Sequence, residues 1–296
     1  MIWVTWRQHR PQAIAMAALF CALAVFAVVV GMWMRNTFSA DGLGACLARS
    51  AGTGCAGTIT SFVHKFGGPA TLPVNVLLFA VPGLLGAVVG APLLGQELER
   101  GTWQLAWSQT VPRTRWLVTK LVLVIGGLAV FGAAVTAVMT WSRAPLDRVS
   151  IRLQPPPFNF EGLSLTCSLL CGFALAVLAG LLLRNTIAAM VVGYLAWEVP
   201  FLVTTLLAGP LNVLTATARF ACQDGCQGVS TNSVPPVTGN LGDLVLNVTH
   251  SGGQVIVTYL PASRFWTLQL IAGGLYLTIA AAALGTAIWL LHRRTT

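Results

Sequence analysis

Six stretches of this chain, at 12–34, 74–94, 117–141, 163–183, 186–208 and 265–291, run almost without charge. A helix of about 20 apolar residues is what a bilayer's hydrocarbon core demands of a segment that crosses it. Barrel strands would be about 10 residues long and alternate in polarity. These runs are apolar on every side and rich in alanine, glycine and leucine, which suits close helix packing in lipid. The remaining composition leaves little alternative: 56% of the 296 residues are hydrophobic and 8% are charged. An average soluble domain is about 25% charged, so this chain lacks the polar surface to cover a water-soluble globule. Disorder requires the opposite composition. The net charge of +9 does not make a nucleic-acid reader, because the basic residues are scattered between apolar runs and form no stripe. The expectation is an all-α membrane protein with six transmembrane helices in a single domain over 1–296.

The first run follows Arg7 and Arg10 as a signal peptide would, but it is too long for one and no small-residue cleavage site clearly ends it, so a retained helix is expected. Six spans put both termini on one side. With the termini in the cytoplasm, the inner side holds Arg7, Arg10, Arg100, Arg113, Arg115, Lys120, Arg184, Arg293 and Arg294. The outer segments 35–73, 142–162 and 209–264 hold eight basic residues over more than twice the length. Basic density in short loops favours this orientation, which predicts a multi-pass protein of the plasma membrane. Four of the seven cysteines fall in two of the outer segments: Cys46 with Cys55, and Cys222 with Cys226. Two local disulfides in an oxidising space are expected. The alternatives are free thiols, or zinc, which would lack a second ligand pair beside Cys222 and Cys226.

The segment 35–73 shows no helical period and reads as irregular. A Pro155-Pro156-Pro157 run forces an extended stretch before the fourth helix. Alternating Val, Leu, Ile and Thr on either side of His250-Ser251-Gly252-Gly253 predict a β-hairpin over 243–259. Arg264 and Trp266 then stand where an interfacial anchor would. At the other terminus Trp3, Trp6, Arg7 and Arg10 share one face of a short amphipathic helix, which is expected to lie in the headgroup layer.

The most unusual stretch lies between the second and third runs. It contains Glu97, Glu99, Arg100, Gly101, Thr102, Trp103, Trp107, Pro112, Arg113 and Arg115. Trp103 and Trp107 sit one helical turn apart, Thr102 is placed to cap a short helix, and Pro112 is placed to end it. An acidic entry, a basic exit and an aromatic face suit the docking of a soluble partner. An interfacial loop with aromatic anchors is the plainer alternative.

The order Glu97-x-Glu99-x-Gly101-Thr102, then Pro112-x-x-Arg115-Trp116 and Lys120, resembles the loop after the second helix of ABC-2 type ABC transporter permeases. The six-span layout agrees, and the opening Met1–Arg10 segment and Pro261–Trp266 resemble actinobacterial members. The resemblance implies a transmembrane permease subunit without catalytic residues, cofactor or metal of its own. Two copies of an ABC ATPase would bind ATP and Mg beneath it, touching the 97–115 segment as a coupling region. A second copy of the chain, or a related permease, would complete a dimer. A hydrophobic or amphipathic substrate, whether drug, peptide or lipid, would leave outward through the dimer interface. Pro200 and the Gly209-Pro210 pair fit the broken fifth helix of the family.

The chain's own residues support a divided machine. No G-x-x-x-x-G-K-[ST] phosphate loop is present, and neither Lys65 nor Lys120 follows a glycine. Intramembrane proteolysis lacks its residues: His9, His64, His250 and His292 lie outside the six runs, and His-Glu-x-x-His is absent. Glu198 is the acidic residue inside a run, at a cost of about 2.5–3.5 kcal/mol on insertion scales, which makes it a candidate for a substrate pathway together with Pro200. Its alternative role is a hydrogen bond that fixes the broken helix. An ion-coupled secondary transporter using Glu198, or an immunity or sensor protein without transport, are the competing functions.

Overall fold

The structure is a computed structural model, and it describes residues 2–50, 55–67, 72–99, 113–153, 157–207, 215–221, 242–251 and 254–293. Its long helices are α1 (Ile2–Ala40), α4 (Leu72–Glu99), α5 (Arg113–Arg143), α7 (Ser164–Leu183), α8 (Thr186–Leu207) and α9 (Phe265–Arg293). Shorter helices α2 (Leu43–Ser50), α3 (Ala56–Gly67) and α6 (Pro157–Phe160) lie between them. Among the described residues, α1, α5, α7, α8 and α9 each carry a stretch long and apolar enough to cross a membrane. Helix α4 carries a shorter apolar stretch, Ala80–Gln96. Its 28 residues span about 42 Å at 1.5 Å per residue.

Helix α7 is the axis of the bundle, and α4, α9, α8 and α5 pack around it. Phe173, Ala174, Ala176 and Val177 are completely buried there. Close approach depends on α4 lacking side chains where it meets α7. A Cβ on Gly86 would stand 2.5 Å from the Phe173 nitrogen, and one on Gly90 would collide with the Phe173 carbonyl oxygen. Contact of this kind lets dispersion and weak polar forces hold helices that gain no hydrophobic drive in lipid. Helix α1 is peripheral and packs along α5.

Two residues join α7 to α8. Arg184 takes a left-handed conformation (φ 52°) and its N–H bonds the Gly180 carbonyl, which ends α7. Asn185 then accepts a hydrogen bond at Oδ1 from the Ala188 N–H (3.0 Å), the geometry of a helix N-cap. The opposite end of the bundle holds a disulfide between Cys46 and Cys55. We call it the cystine end and the other the turn end.

At the cystine end the chain is more ordered than its sequence suggests. The described residues of 35–73 are largely helical rather than irregular: α1 runs on to Ala40, and α2 and α3 follow. Glycine and serine hid a real amphipathic pattern, in which Ile59, Phe62 and Phe66 of α3 close onto Met34, Phe38, Leu43 and Leu146. The expected separate headgroup helix at the N-terminus is also corrected. Residues 2–40 form one helix of 39 residues, about 58 Å long against a hydrocarbon core of about 30 Å. The helix continues through Pro11. Pro155 and Pro156 lie outside the described residues, and Pro157 opens α6.

The hairpin is present as β2 (Leu244–Ser251) and β3 (Gln254–Leu260), antiparallel with an irregular step between Val245 and Asn247. A strand the sequence reading missed, β1 (Ala216–Ala221), pairs with the far side of β3, giving the order β1-β3-β2. Alternate residues Val255, Val257 and Tyr259 are buried. Leu260 joins Leu153, Phe158, Phe265 and Leu268, so the sheet rests on the start of α9. Asp243 Oδ1 accepts from the Ala262 N–H (2.8 Å), fixing the turn that leads into that helix.

Candidate functional site

The segment expected to dock a partner follows α4. Glu97 and Glu99 fall in its last turn, and Arg113 and Arg115 in the first turn of α5. Arg100, Gly101, Thr102, Trp103, Trp107 and Pro112 lie outside the described residues. Glu99 is exposed, yet its carboxylate already has a role within the chain. Its Oε2 accepts from the Thr186 hydroxyl (2.8 Å) and from the Thr186 N–H (3.1 Å). The first N–H groups of a helix lack intrahelical acceptors and carry positive partial charge, so an anion there is favourable. Asn185 and Glu99 together cap α8. The end of α4, where the segment of interest begins, is therefore tied to the first turn of α8.

A polar seam runs through the bundle between α7, α8 and α9. Trp197 is buried, and its Nε1 donates to Ser168 Oγ (2.9 Å). Tyr276 and Thr204 share a hydrogen bond of 2.8 Å between their hydroxyls. A small cavity opens beside them, with room for about one water molecule, lined by Pro82, Asn159, Ser164, Ser168, Trp197, Phe201 and Tyr276. Asn159 Nδ2 is buried without a hydrogen-bond partner among the described residues. Glu198 lies next to this seam, partly buried, one turn from Tyr194, with which its side chain interacts. Pro200 is buried inside α8, which continues unbroken past it to Leu207.

The cystine end carries a second polar centre that sequence reasoning missed. Glu161 is fully buried and takes three hydrogen bonds. Arg143 Nε donates to Oε1 (3.2 Å), while Arg152 Nε and Nη2 donate to Oε2 (2.9 and 2.7 Å). Asp147 stands 3.6 Å from Arg152 Nε. Burial, and then the neighbouring Glu161 charge, push the Asp147 carboxyl from 3.8 up to about 7, against the pull of the two arginines. Arg152 also lies over the Phe265 ring at 4.4 Å. Four residues beyond Phe265, Gln269 is fully buried in α9. Its Oε1 accepts from the Leu163 N–H, the Ser164 N–H and the Ser164 hydroxyl, and its Nε2 donates to the Phe158 carbonyl (2.7 Å). Gln269 thus caps α7 from another helix. Gly162, with φ 66° and a virtual Cβ 3.0 Å from the Gln269 amide, permits the approach. The signal in the sequence was charge density: Arg143, Asp147, Arg148, Arg152 and Glu161 crowd one short segment of a chain that is 8% charged.

Of the other expected residues, Cys46 and Cys55 are joined, and Cys222 and Cys226 lie outside the described residues. Trp3, Trp6 and Arg7 sit in the first turns of α1, with Arg10 exposed. Arg264 and Trp266 are exposed where α9 begins. Among the described residues there is no cluster of three or more His, Cys, Asp or Glu with metal-binding geometry. In comparisons with known proteins, the family described as ABC-2 membrane transporter related matches residues 17–209. No curated protein and no solved structure matches the chain.

Proposed function

The chain belongs to the ABC-2 membrane transporter related family, and from that premise we propose that it is the permease subunit of an ATP-driven exporter. The family makes it a multi-pass membrane protein, a transport subunit rather than an ATPase, with an ABC ATPase as partner. Beyond that, we read the turn end as cytoplasmic and the cystine end as external. The basic density of the short segments and the stability of disulfides in oxidising spaces both support this orientation. Two ATPase subunits, holding ATP and Mg, would dock on residues 97–115 of two permease chains. Either two copies of this chain or one copy and a related permease would form the pair. Substrate would then move outward along the surface where the two meet.

One observation carries the reading: Glu99, at the threshold of the docking segment, holds the first turn of α8. Force applied to that segment reaches α8 through a charge-assisted hydrogen bond, and α8 is the helix that bears Glu198. The test is co-expression with an ABC ATPase, followed by purification of the pair and reconstitution. Glu97→Ala/Trp103→Ala should release the ATPase while the permease remains folded. A complex that survives this double change removes 97–115 as the dock. Proton-driven flux by the chain alone, without ATP, would select the secondary-transporter reading instead.

A further inference from the structure

Glu198 lies in the apolar stretch Thr186–Thr204, and no other acidic residue is found in the apolar stretches among the described residues. The elements packed against α8 offer it no counter-charge. The apolar stretch of α4 over 80–96, α7 over 164–183 and α9 over 265–291 contain no lysine, arginine or histidine, and none lies within 186–204 itself. A carboxyl in that position is costly unless something pairs with it, and the partner it has, the Tyr194 side chain, is neutral. Its surroundings are aromatic. Tyr194, Glu198 and Phe201 follow one stripe of α8 at helical spacing, all partly exposed, beside the exposed Leu195, Val199 and Leu202. Behind them Trp197 stacks on Phe201 (5.0 Å, 24°) and lies 5.8 Å from Tyr194. The bond from Trp197 to Ser168 fixes that ring, so the aromatic row is braced from within the bundle.

A carboxylate flanked by aromatic faces on the rim of an apolar surface is the chemistry that recognises an organic cation. The ring quadrupoles attract positive charge, the carboxylate neutralises it, and the adjoining leucines and valines accept an apolar body. We propose that Tyr194, Glu198 and Phe201 form a binding site for cationic amphiphiles, with Trp197 as a positioning residue behind them. The proposal names the substrate class for the exporter reading and rests on that reading for its transport role, while binding itself requires only this chain.

The test uses the full chain in lipid nanodiscs with tetraphenylphosphonium and tetraphenylborate, ions of nearly the same shape and opposite charge. Binding is measured for wild type, Glu198→Gln and Glu198→Asp, with empty discs as the reference. The expected result is phosphonium binding by wild type and Glu198→Asp, weakened about tenfold in Glu198→Gln. Borate partitioning should be the same for wild type and Glu198→Gln. Equal phosphonium affinity in wild type and Glu198→Gln overturns the proposal. Tyr194→Leu keeps the carboxylate and should weaken phosphonium about threefold. It is the deciding variant if Glu198→Gln does not fold, and an unchanged affinity there also overturns the site. The two levels fail separately. A chain that binds phosphonium but moves none of it with an ABC ATPase and ATP sinks the exporter reading alone. A complex that exports other compounds while binding no phosphonium sinks the substrate class alone.

Discussion

The two ends of the helix bundle are joined by different kinds of contact. At the cystine end, the contacts are made by buried groups: Glu161 between Arg143 and Arg152 of the same connecting segment, and Gln269 across to the distant Ser164 and Phe158. At the turn end, the polar tie between α4 and α8 is Glu99, an exposed residue whose carboxylate accepts from Thr186. Breaking a buried pair strands a charge or a donor in a dry site, whereas releasing an exposed carboxylate returns it to water at little cost. The contrast is between an end held by buried polar groups and an end whose polar tie lies at the surface.

The largest effect should come from the cap. Glu161→Ala leaves two arginines without their buried acceptor and is expected to cost about 3–5 kcal/mol, read as a large drop in unfolding temperature in detergent. The same centre predicts a response to pH. Because Asp147 has its carboxyl raised from 3.8 to about 7, the folded state binds the proton more tightly than the unfolded state. Its contribution to stability is therefore full below about pH 4, declines as pH rises toward 7, and is lost above that. Asp147→Asn should flatten that slope in unfolding curves taken across the range. Gln269→Leu removes the acceptor of three donors and should cost about 2–4 kcal/mol by the same thermal assay. Reducing Cys46–Cys55 should loosen α2 and α3 by about 2–3 kcal/mol, visible as faster proteolysis within 41–67, with the helix bundle intact. The smallest stability change belongs to Glu99→Gln, below about 1 kcal/mol, because the amide oxygen still accepts from Thr186. Its effect should instead appear as ATP hydrolysis that proceeds without transport. A Glu99→Gln variant as unstable as Glu161→Ala would erase the contrast between the ends.

The long helices were legible because lipid imposes a simple rule, about twenty apolar residues per crossing. The limits of α7 and α8 were read to within a residue, since Arg184-Asn185 is the sole polar interruption between them. The cystine end was harder. Helices α2 and α3 bury one face against α1 and against Leu146 and Val149 beyond α5, and short glycine-containing amphipathic segments carry a weak periodic signal. Strand β1 pairs with a partner nearly forty residues away, and nothing local marks such a partner. Glu99 was singled out for its neighbours in sequence, but its hydrogen bond to Thr186 reaches across 87 residues. Pairings of that span arise from how helices cross, which composition does not encode. Glu198 was conspicuous as a lone charge, while the aromatic row beside it becomes meaningful once Trp197 is seen buried and stacked.

The two-residue turn at Arg184-Asn185 has a consequence for how the protein is made. So short a connection cannot leave α7 settled in the bilayer while α8 waits in water. The short turn favours entry of the two helices as a hairpin, with the apolar surface of α7 beside Glu198 as it crosses. A ribosome-stalled chain ending within α8 should expose both segments to the cytosol together, and lengthening the turn should make the insertion of α8 depend on residue 198.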